Sequence, residues 1–270
     1  MVSQYLRETS LLDYKHESIL ALVRDRGWAS LPFDHGIGAV YAFTRDEIGF
    51  GYNRADQISA SQVLGDGYGQ CNTKTTLVMA LLRAVGVPCR FHGATIHKRL
   101  QKGVVSGVLY WLAPENIIHS WAEVLVEGRW LSLEGVILDR KYLDGLRRLL
   151  PDERGAFLGY GVGTDNLAAP AIEWRGADTS IQMTGVNRDL GIFDDPDAFY
   201  AQHGGNLLGL RGWVYRRWGR HAMNRRVATI RAAVDPKNRS GIGRATTRRR
   251  RPSRRANRVP LGPSCRRPCP

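Results

Sequence analysis

The chain has 270 residues, 43% of them hydrophobic, which is enough to bury a core in one large domain or two small ones. Four cysteines in this length exclude a small disulfide scaffold. The formal net charge of +14 belongs mainly to residues 236–270, which hold 12 Lys or Arg and no acid. The rest of the chain has 27 basic and 25 acidic residues and is nearly neutral.

The sequence offers no candidate membrane segment. The N-terminus lacks the continuous apolar stretch of a signal peptide. The longest apolar run, residues 77–87, is broken by Arg83 and is too short to cross a bilayer. We therefore expect a soluble, cytoplasmic protein with no transmembrane segment.

The first predicted elements are helical. Residues 10–26 place apolar side chains at helical spacing, and residues 60–64 are predicted to form one helical turn. The polar residues before and within that turn, among them Asn53, Asp56 and Gln57, are more often solvated loop residues than catalytic ones. None of them is assigned a role.

Residues 65–87 are the most informative stretch. A glycine-rich loop ends at Cys71, apolar residues then recur at helical spacing, and Gly86 followed by Pro88 is typical of a helix end. Cys71 is thus predicted at a helix N-terminus, where free N–H groups and the positive end of the helix dipole favour a thiolate. A thiolate is the nucleophilic form of cysteine. The alternative is a small buried cysteine beside a turn.

The next two segments are interpreted as strands. Residues 88–96 are predicted to form a strand in which Cys89 is structural. Residues 104–112 are predicted to form a second strand.

Residues 117–138 have the pattern of a β-hairpin. They alternate in polarity, and Glu127-Gly128 stands at their middle. A two-residue turn there pairs Val126 with Arg129. One face of the hairpin then carries the apolar residues Ala122, Val124, Leu131 and Leu133.

The opposite face of this hairpin carries a candidate catalytic pair. His119 and Glu134 are diagonal neighbours there, about 7–8 Å apart at the backbone. A carboxylate that orients an imidazole is one half of a thiol–imidazole–acid constellation. In this register Asp139 points the other way. The alternative is a strand histidine beside an ordinary surface acid.

The C-terminal third has weaker patterns. Residues 139–150 are predicted to form a short helix, and residues 151–210 to form an irregular cap or lid. Residues 207–231 are predicted as a cationic amphipathic helix that packs on the domain, or alternatively faces a membrane surface or RNA.

The last segment, residues 236–270, has the composition of a disordered tail. Its arginines favour nonspecific contact with nucleic acid or acidic surfaces. A wrong-frame reading of GC-rich DNA is the alternative explanation of this composition. Cys265 and Cys269 have no ligand cluster nearby, so no metal site is expected.

Four linked motifs resemble the core of the transglutaminase-like superfamily. They are GQC at residues 69–71, RAVGVP at 83–88, HSWAEV at 119–124 and WLSLE at 130–134. Their order and spacing fit the superfamily over roughly residues 35–145.

The resemblance implies an α+β, papain-like fold in which the cysteine-bearing helix packs on an antiparallel sheet, with an irregular and helical C-terminal extension. The implied domains are a catalytic domain over residues 1–150, an extension packed on it over 151–235 and the disordered tail 236–270. By position, Cys71 is the nucleophile, His119 the general base and acid, and Glu134 the third member, where the superfamily usually has aspartate. We therefore expect His119 and the helix terminus to lower the pKa of Cys71.

The implied activity is thiol-dependent acyl transfer on amide or peptide bonds of a protein or peptide substrate. Because no calcium-binding acidic cluster is evident, hydrolysis by a peptidase or amidase is favoured over cross-linking of protein glutamines. A non-catalytic binding module on the same fold is the alternative from a different class. No metal or organic cofactor is implied.

Overall fold

The computed structural model describes residues 2–206 and 209–234, which lie within one compact unit. The predicted tail, residues 236–270, lies outside the described residues, and so do Cys265 and Cys269.

The described chain mixes α-helices with short and long β-strands. The helices are α1 (Glu17–Asp25), α2 (Phe33–Asp46), α3 (Ala60–Asp66), α4 (Cys71–Ala84), α5 (Gly107–Leu112), α6 (Arg140–Leu149), α7 (Pro196–His203), α8 (Gly209–Val214) and α9 (Arg220–Ala232), with a π-helical turn at Tyr215–Gly219 between the last two. The strands are β1 (Gly49–Phe50), β2 (Tyr68–Gly69), β3 (Cys89–His97), β4 (Asn116–Val126), β5 (Arg129–Ser132), β6 (Phe157–Gly159), β7 (Val162–Thr164) and β8 (Val186–Phe193). The predicted α+β class is confirmed.

The central sheet has the strand order β5-β4-β3-β8, and its neighbours pair antiparallel. Helix α4 packs against β4 and is surrounded by α1, α2 and α3. Residues 71–83 of α4 are consequently all buried, polar ones included. Burying one Leu or Val side chain stabilises a fold by about 1.5–3 kcal/mol, so this helix anchors the core.

Local sequence explains where α4 begins and ends. Gln70 and Thr73 form a capping box, in which the Gln70 backbone N–H donates to Thr73 Oγ1 at 3.0 Å. The helix stops just before Gly86, whose φ of +79° suits glycine. The predicted start at Cys71 and the predicted stop are both confirmed.

The hairpin register is also confirmed. Val126 pairs with Arg129 and Glu123 with Ser132 across the Glu127-Gly128 turn. The predicted apolar face is buried along its whole length, from Ala122 to Leu133. Strand β5 ends at Ser132, however, and Glu134 begins a 3₁₀ turn.

Two secondary-structure predictions need correction. Residues 107–112 are helical instead of a strand, because short apolar runs do not distinguish the two and the positive φ of Gly103 and Gly107 interrupts an extended chain. The first helix covers only Glu17–Asp25, because the ring of His16 accepts a hydrogen bond from the Ser18 N–H and caps the helix there.

The C-terminal segment is built into the same unit. Strand β8 pairs with β3 in the central sheet, and α9 packs closely on α6. A Cβ at Gly145 would lie 2.0 Å from the Ile230 carbonyl oxygen, so only glycine allows this approach. The described part of the predicted cationic helix thus packs on the domain. Among the helices of the described residues, none combines the length and apolar character needed to cross a bilayer.

Candidate active site

Cys71 stands where a buried helix meets a cavity. It is the first residue of α4 and is only 8% exposed. Its side chain lines a cavity of about 510 Å³. A small molecule or peptide side chain that enters the cavity can therefore reach the sulfur.

Hydrogen bonds join the start of α4 to β4 on both sides of His119. Asn72 Nδ2 donates to the Ile118 carbonyl at 3.2 Å, and Ser120 Oγ donates to Asn72 Oδ1 at 2.9 Å. Thr75 Oγ1 donates to the Ser120 carbonyl at 3.1 Å. Because residues on both sides of His119 are anchored to the first turn of α4, the histidine is held beside the helix start that carries Cys71.

His119 and Glu134 face each other in the interior. His119 Nε2 lies 3.3 Å from Glu134 Oε1, and both side chains are 0% exposed. Glu134 also accepts hydrogen bonds from the backbone N–H groups of Ile181 and Gln182, the latter at 3.0 Å. Neither ring nitrogen makes a hydrogen bond within the described residues, so the contact of Nε2 with Glu134 is a close approach and Nδ1 has no partner. The imidazole therefore offers Nδ1 for a further proton exchange while Nε2 faces the acid.

Asp139 is occupied elsewhere. It caps α6 by accepting from the Tyr142 N–H at 2.8 Å, and it accepts from the Phe50 N–H at 2.7 Å. It also pairs with Arg231 of α9. Burial alone would raise the pKa of Asp139, but the Arg231 guanidinium holds this pKa below its usual value. The structure thus places Glu134, and not Asp139, beside His119.

The predicted lowering of the Cys71 pKa is wrong for this structure. Burial raises the pKa of the Cys71 thiol well above its usual value, and the carboxylates of Asp56 and Glu134 raise it further. Nearby backbone N–H groups of Asn72 and Ser120 oppose this effect without reversing it. A helix terminus contributes about 0.3–1 kcal/mol, whereas full burial moves a pKa by up to about 3–5 units at about 1.4 kcal/mol each. Burial therefore favours the neutral thiol of Cys71 over the thiolate.

The part of the chain that forms this site is similar to a known protein family. The family model of the transglutaminase-like superfamily matches residues 23–135, which contain Cys71, His119 and Glu134. This part of the chain is therefore similar to the transglutaminase-like superfamily.

The comparison with solved structures finds only a distant similarity. A solved structure described as "a Putative Cysteine Protease from Cytophaga hutchinsonii" is similar, with a TM-score of 0.41 and 11% sequence identity. The similarity covers 73% of this chain and 48% of that one, so the chain spans about half the length of that protein. No curated protein matches the chain significantly.

The cavity beside the transglutaminase-like core has a mostly apolar wall. Its apolar lining comes from two separate stretches of the chain and includes Phe50, Tyr52, Ile96, Leu100, Ile117, Val214 and Met223. A polar network lies near the sulfur: Asp56 accepts from Gln70 Nε2 at 3.1 Å and from Asn206 Nδ2 at 2.8 Å. The site can thus take a substrate with an apolar group and still offer polar contacts near Cys71.

Sequence reasoning missed several residues of this site. Asp56 has the sequence context of a solvated loop residue, yet it lines the cavity. Asn206 and Gln182 lie within residues 151–210, where the sequence has no helical or strand periodicity. Asn206 nevertheless contacts Ile118 of the hairpin, and Gln182 contacts Glu134. No local signal identifies them, because their contacts join positions about 50–150 residues apart.

Lys74 is a further residue that the sequence did not single out. It is 0% exposed, and its Nζ donates to the carbonyls of Arg45 and Ile48 at 3.0 and 2.8 Å. Burial lowers the pKa of Lys74 to about 7. Lys74 thereby satisfies the backbone carbonyls at the end of α2, one turn of α4 after Cys71. Within residues 2–206 and 209–234, His, Cys, Asp and Glu side chains form no group of three that could hold a metal ion.

Proposed function

We propose that the protein catalyses thiol-dependent acyl transfer on amide or peptide bonds, with Cys71 as the nucleophile. The observation that carries the proposal is the pairing of His119 Nε2 with Glu134 at 3.3 Å, beside a cysteine that opens into a cavity. An imidazole held in this way exchanges protons through its other nitrogen.

The first chemical step uses the neutral thiol. As the sulfur of Cys71 attacks the substrate carbonyl, Nδ1 of His119 accepts the thiol proton, and Glu134 stabilises the imidazolium. The backbone N–H of Cys71 is available to the oxyanion, since the first helical N–H groups have no intrahelical acceptor. The imidazolium then gives its proton to the leaving amine as the C–N bond breaks, and a thioester on Cys71 remains.

The second step hydrolyses the thioester and regenerates the free thiol of Cys71. Water attacks the thioester, His119 accepts a proton from it, and the acid product leaves as the thiol is restored. An amine in place of water gives transamidation by the same sequence of proton transfers. We favour hydrolysis, in a peptidase or amidase, over transamidation.

Trapping of the acyl-enzyme tests this proposal. The full chain is treated with a panel of activated acyl esters and amides, and its intact mass is measured. We expect one acyl group on the wild type and none on Cys71→Ala, with Cys89→Ala as the control that still reacts. Loss of the acyl group in plain buffer supports hydrolysis, and its transfer only to added primary amines supports cross-linking. A protein that never becomes acylated at Cys71 contradicts the proposal and favours a binding module.

A further inference from the structure

A buried amide in the cavity wall has one unused oxygen. Gln182 is 3% exposed, and its Nε2 donates to the Gly161 carbonyl. This bond fixes the orientation of the amide, because the flipped orientation would set two acceptor oxygens against each other. Oε1 of Gln182 is then buried with no hydrogen-bond partner among the described residues.

An unused buried acceptor is costly. Leaving such a group without a partner destabilises a fold, because the group loses its hydrogen bonds to water and gains none in return. Buried polar groups in native proteins are rarely left so, and the exceptions call for an explanation. A ligand that donates a hydrogen bond on binding is one such explanation.

The position of Gln182 indicates what that ligand would be. Its side chain lines the same cavity as Cys71. Its own backbone N–H donates to Glu134, the acid that faces His119. Gln182 therefore joins the cavity wall to the acid that faces His119, the group that delivers a proton to the leaving amine in the proposed reaction.

We propose that Gln182 is a substrate-binding residue whose Oε1 accepts a hydrogen bond from the N–H of the leaving amine. This inference rests on the proposed acyl transfer and deepens it, since it specifies the bond that is cleaved. The oxygen binds an amide that carries an N–H, either a primary carboxamide or a secondary peptide bond. As the leaving nitrogen gains its proton and positive charge, the same hydrogen bond becomes charge-assisted and stronger. Esters and tertiary amides offer no such donor.

Matched substrates test the inference directly. N-acetylated amino-acid p-nitroanilides and the corresponding p-nitrophenyl esters share an acyl group and differ in the N–H. In Gln182→Met, which has a similar shape and lacks the amide oxygen, we expect kcat/KM to fall by about 5–100-fold for the anilides. For the esters we expect a change of less than about threefold, because the transition state never used the oxygen.

The control variant is Gln101→Met, a glutamine that lines the same cavity. It should leave the ratio of anilide to ester turnover unchanged. Equal losses of both substrates in Gln182→Met, with the ratio unchanged, would show that Gln182 only supports the fold and would overturn the inference alone. Failure of the wild type to acylate Cys71 with either substrate would instead overturn the proposed function.

A second measurement remains decisive where Gln182→Met does not fold. In the chain with Cys71→Ala and native Gln182, calorimetric titration compares an N-acetyl amino-acid anilide with its N-methyl anilide. We expect the anilide that retains its N–H to bind about 5–100-fold more tightly. Equal affinities would overturn the inference.

Discussion

Two regions of the molecule contribute to the site in different ways. Residues 23–135 contain the three candidate reacting side chains, and their motifs are visible in the sequence. Residues 151–234 contain none of the three, yet they bind the acid, line the cavity and extend the central sheet. The comparison shows that a recognisable core can depend on a segment without recognisable motifs for its geometry.

The contacts of the second region fall on particular backbone groups of the first. Asn206 accepts from the Ile118 N–H at 2.6 Å, directly beside His119. Asn224 accepts from the Tyr52 N–H at 2.7 Å and donates to the Tyr52 carbonyl at 3.1 Å. Tyr215 donates to the Asn53 carbonyl at 2.9 Å. These bonds fix the cavity walls beside the three candidate reacting side chains.

The largest expected effect lies in the first region. Cys71→Ala should lower turnover by a factor of about 10⁴ or more, because the nucleophile itself is removed. Cooperative unfolding should persist, since the change removes one sulfur atom at the mouth of a cavity. Turnover in the presence of the substrate panel and thermal unfolding measure the two quantities. Residual turnover near the wild-type level would locate the chemistry elsewhere.

The second-largest expected effect concerns Glu134, which contacts His119 of the first region and backbone N–H groups of the second. Glu134→Gln should lower turnover by roughly 10²–10⁴, because His119 loses the charge that stabilises its protonated form. The neutral amide also accepts the Ile181 and Gln182 N–H groups less strongly, so a lower melting temperature should accompany the loss of turnover.

Asp139→Asn is the matched control for that acid. It should change turnover by less than about tenfold while lowering stability, because Asp139 binds Arg231, Phe50 and Tyr142. Its depressed pKa means that its stabilising effect is present above the unfolded-state pKa and is lost as pH falls through the folded-state pKa. The variant should therefore unfold with a weaker acid dependence. A larger loss of turnover in Asp139→Asn than in Glu134→Gln would reverse the assignment.

The rate of thiol labelling distinguishes the effect of reagent access to a cysteine from the effect of its thiol ionisation. Burial raises the pKa of Cys89 to about 11, and raises that of Cys71 still more, so ionisation alone favours Cys89. Cys71 opens into the cavity, whereas Cys89 is 0% exposed and reacts only after local opening. We expect iodoacetamide to label Cys71 roughly tenfold faster or more.

The pH dependence of this labelling has a definite sign. Since the pKa of Cys71 is raised, its labelling rate should keep increasing as pH rises through 8 and 9, without a plateau near neutrality. Peptide mapping after timed labelling measures both sites. Faster labelling of Cys89, or a plateau for Cys71 near neutral pH, would contradict the arrangement described above.

The smallest expected effect lies in the second region. Asn224→Ala leaves the buried Tyr52 N–H and carbonyl without their partners, at a cost of about 1–3 kcal/mol. The melting temperature should fall by about 2–4 °C for each kcal/mol at this chain length. His221→Ala, an exposed position on the same helix, is the control and should have little effect. An unchanged melting temperature in Asn224→Ala would show that α9 contributes little to the cavity wall.

The sequence by itself determined the local features of the core. The capping residues, the helical period and the glycine stop determine where α4 lies, and the Glu127-Gly128 turn sets a hairpin register that decides the facing of the paired side chains from Glu123 to Ser132. Those signals act over a few residues, so they can be found without knowing the fold. Together they predicted that Glu134, and not Asp139, shares the face of His119.

Only the tertiary structure decided the environment of these groups. Whether Cys71 ionises depends on how much water the surrounding chain excludes, and burial outweighs the helix dipole that the sequence reveals. The same holds for Lys74, which its carbonyl partners keep in the core, and for Gln182, whose contacts reach Gly161 and Glu134 across the chain. Desolvation and long-range hydrogen bonds are properties of packed surfaces, and no local pattern of residues contains them.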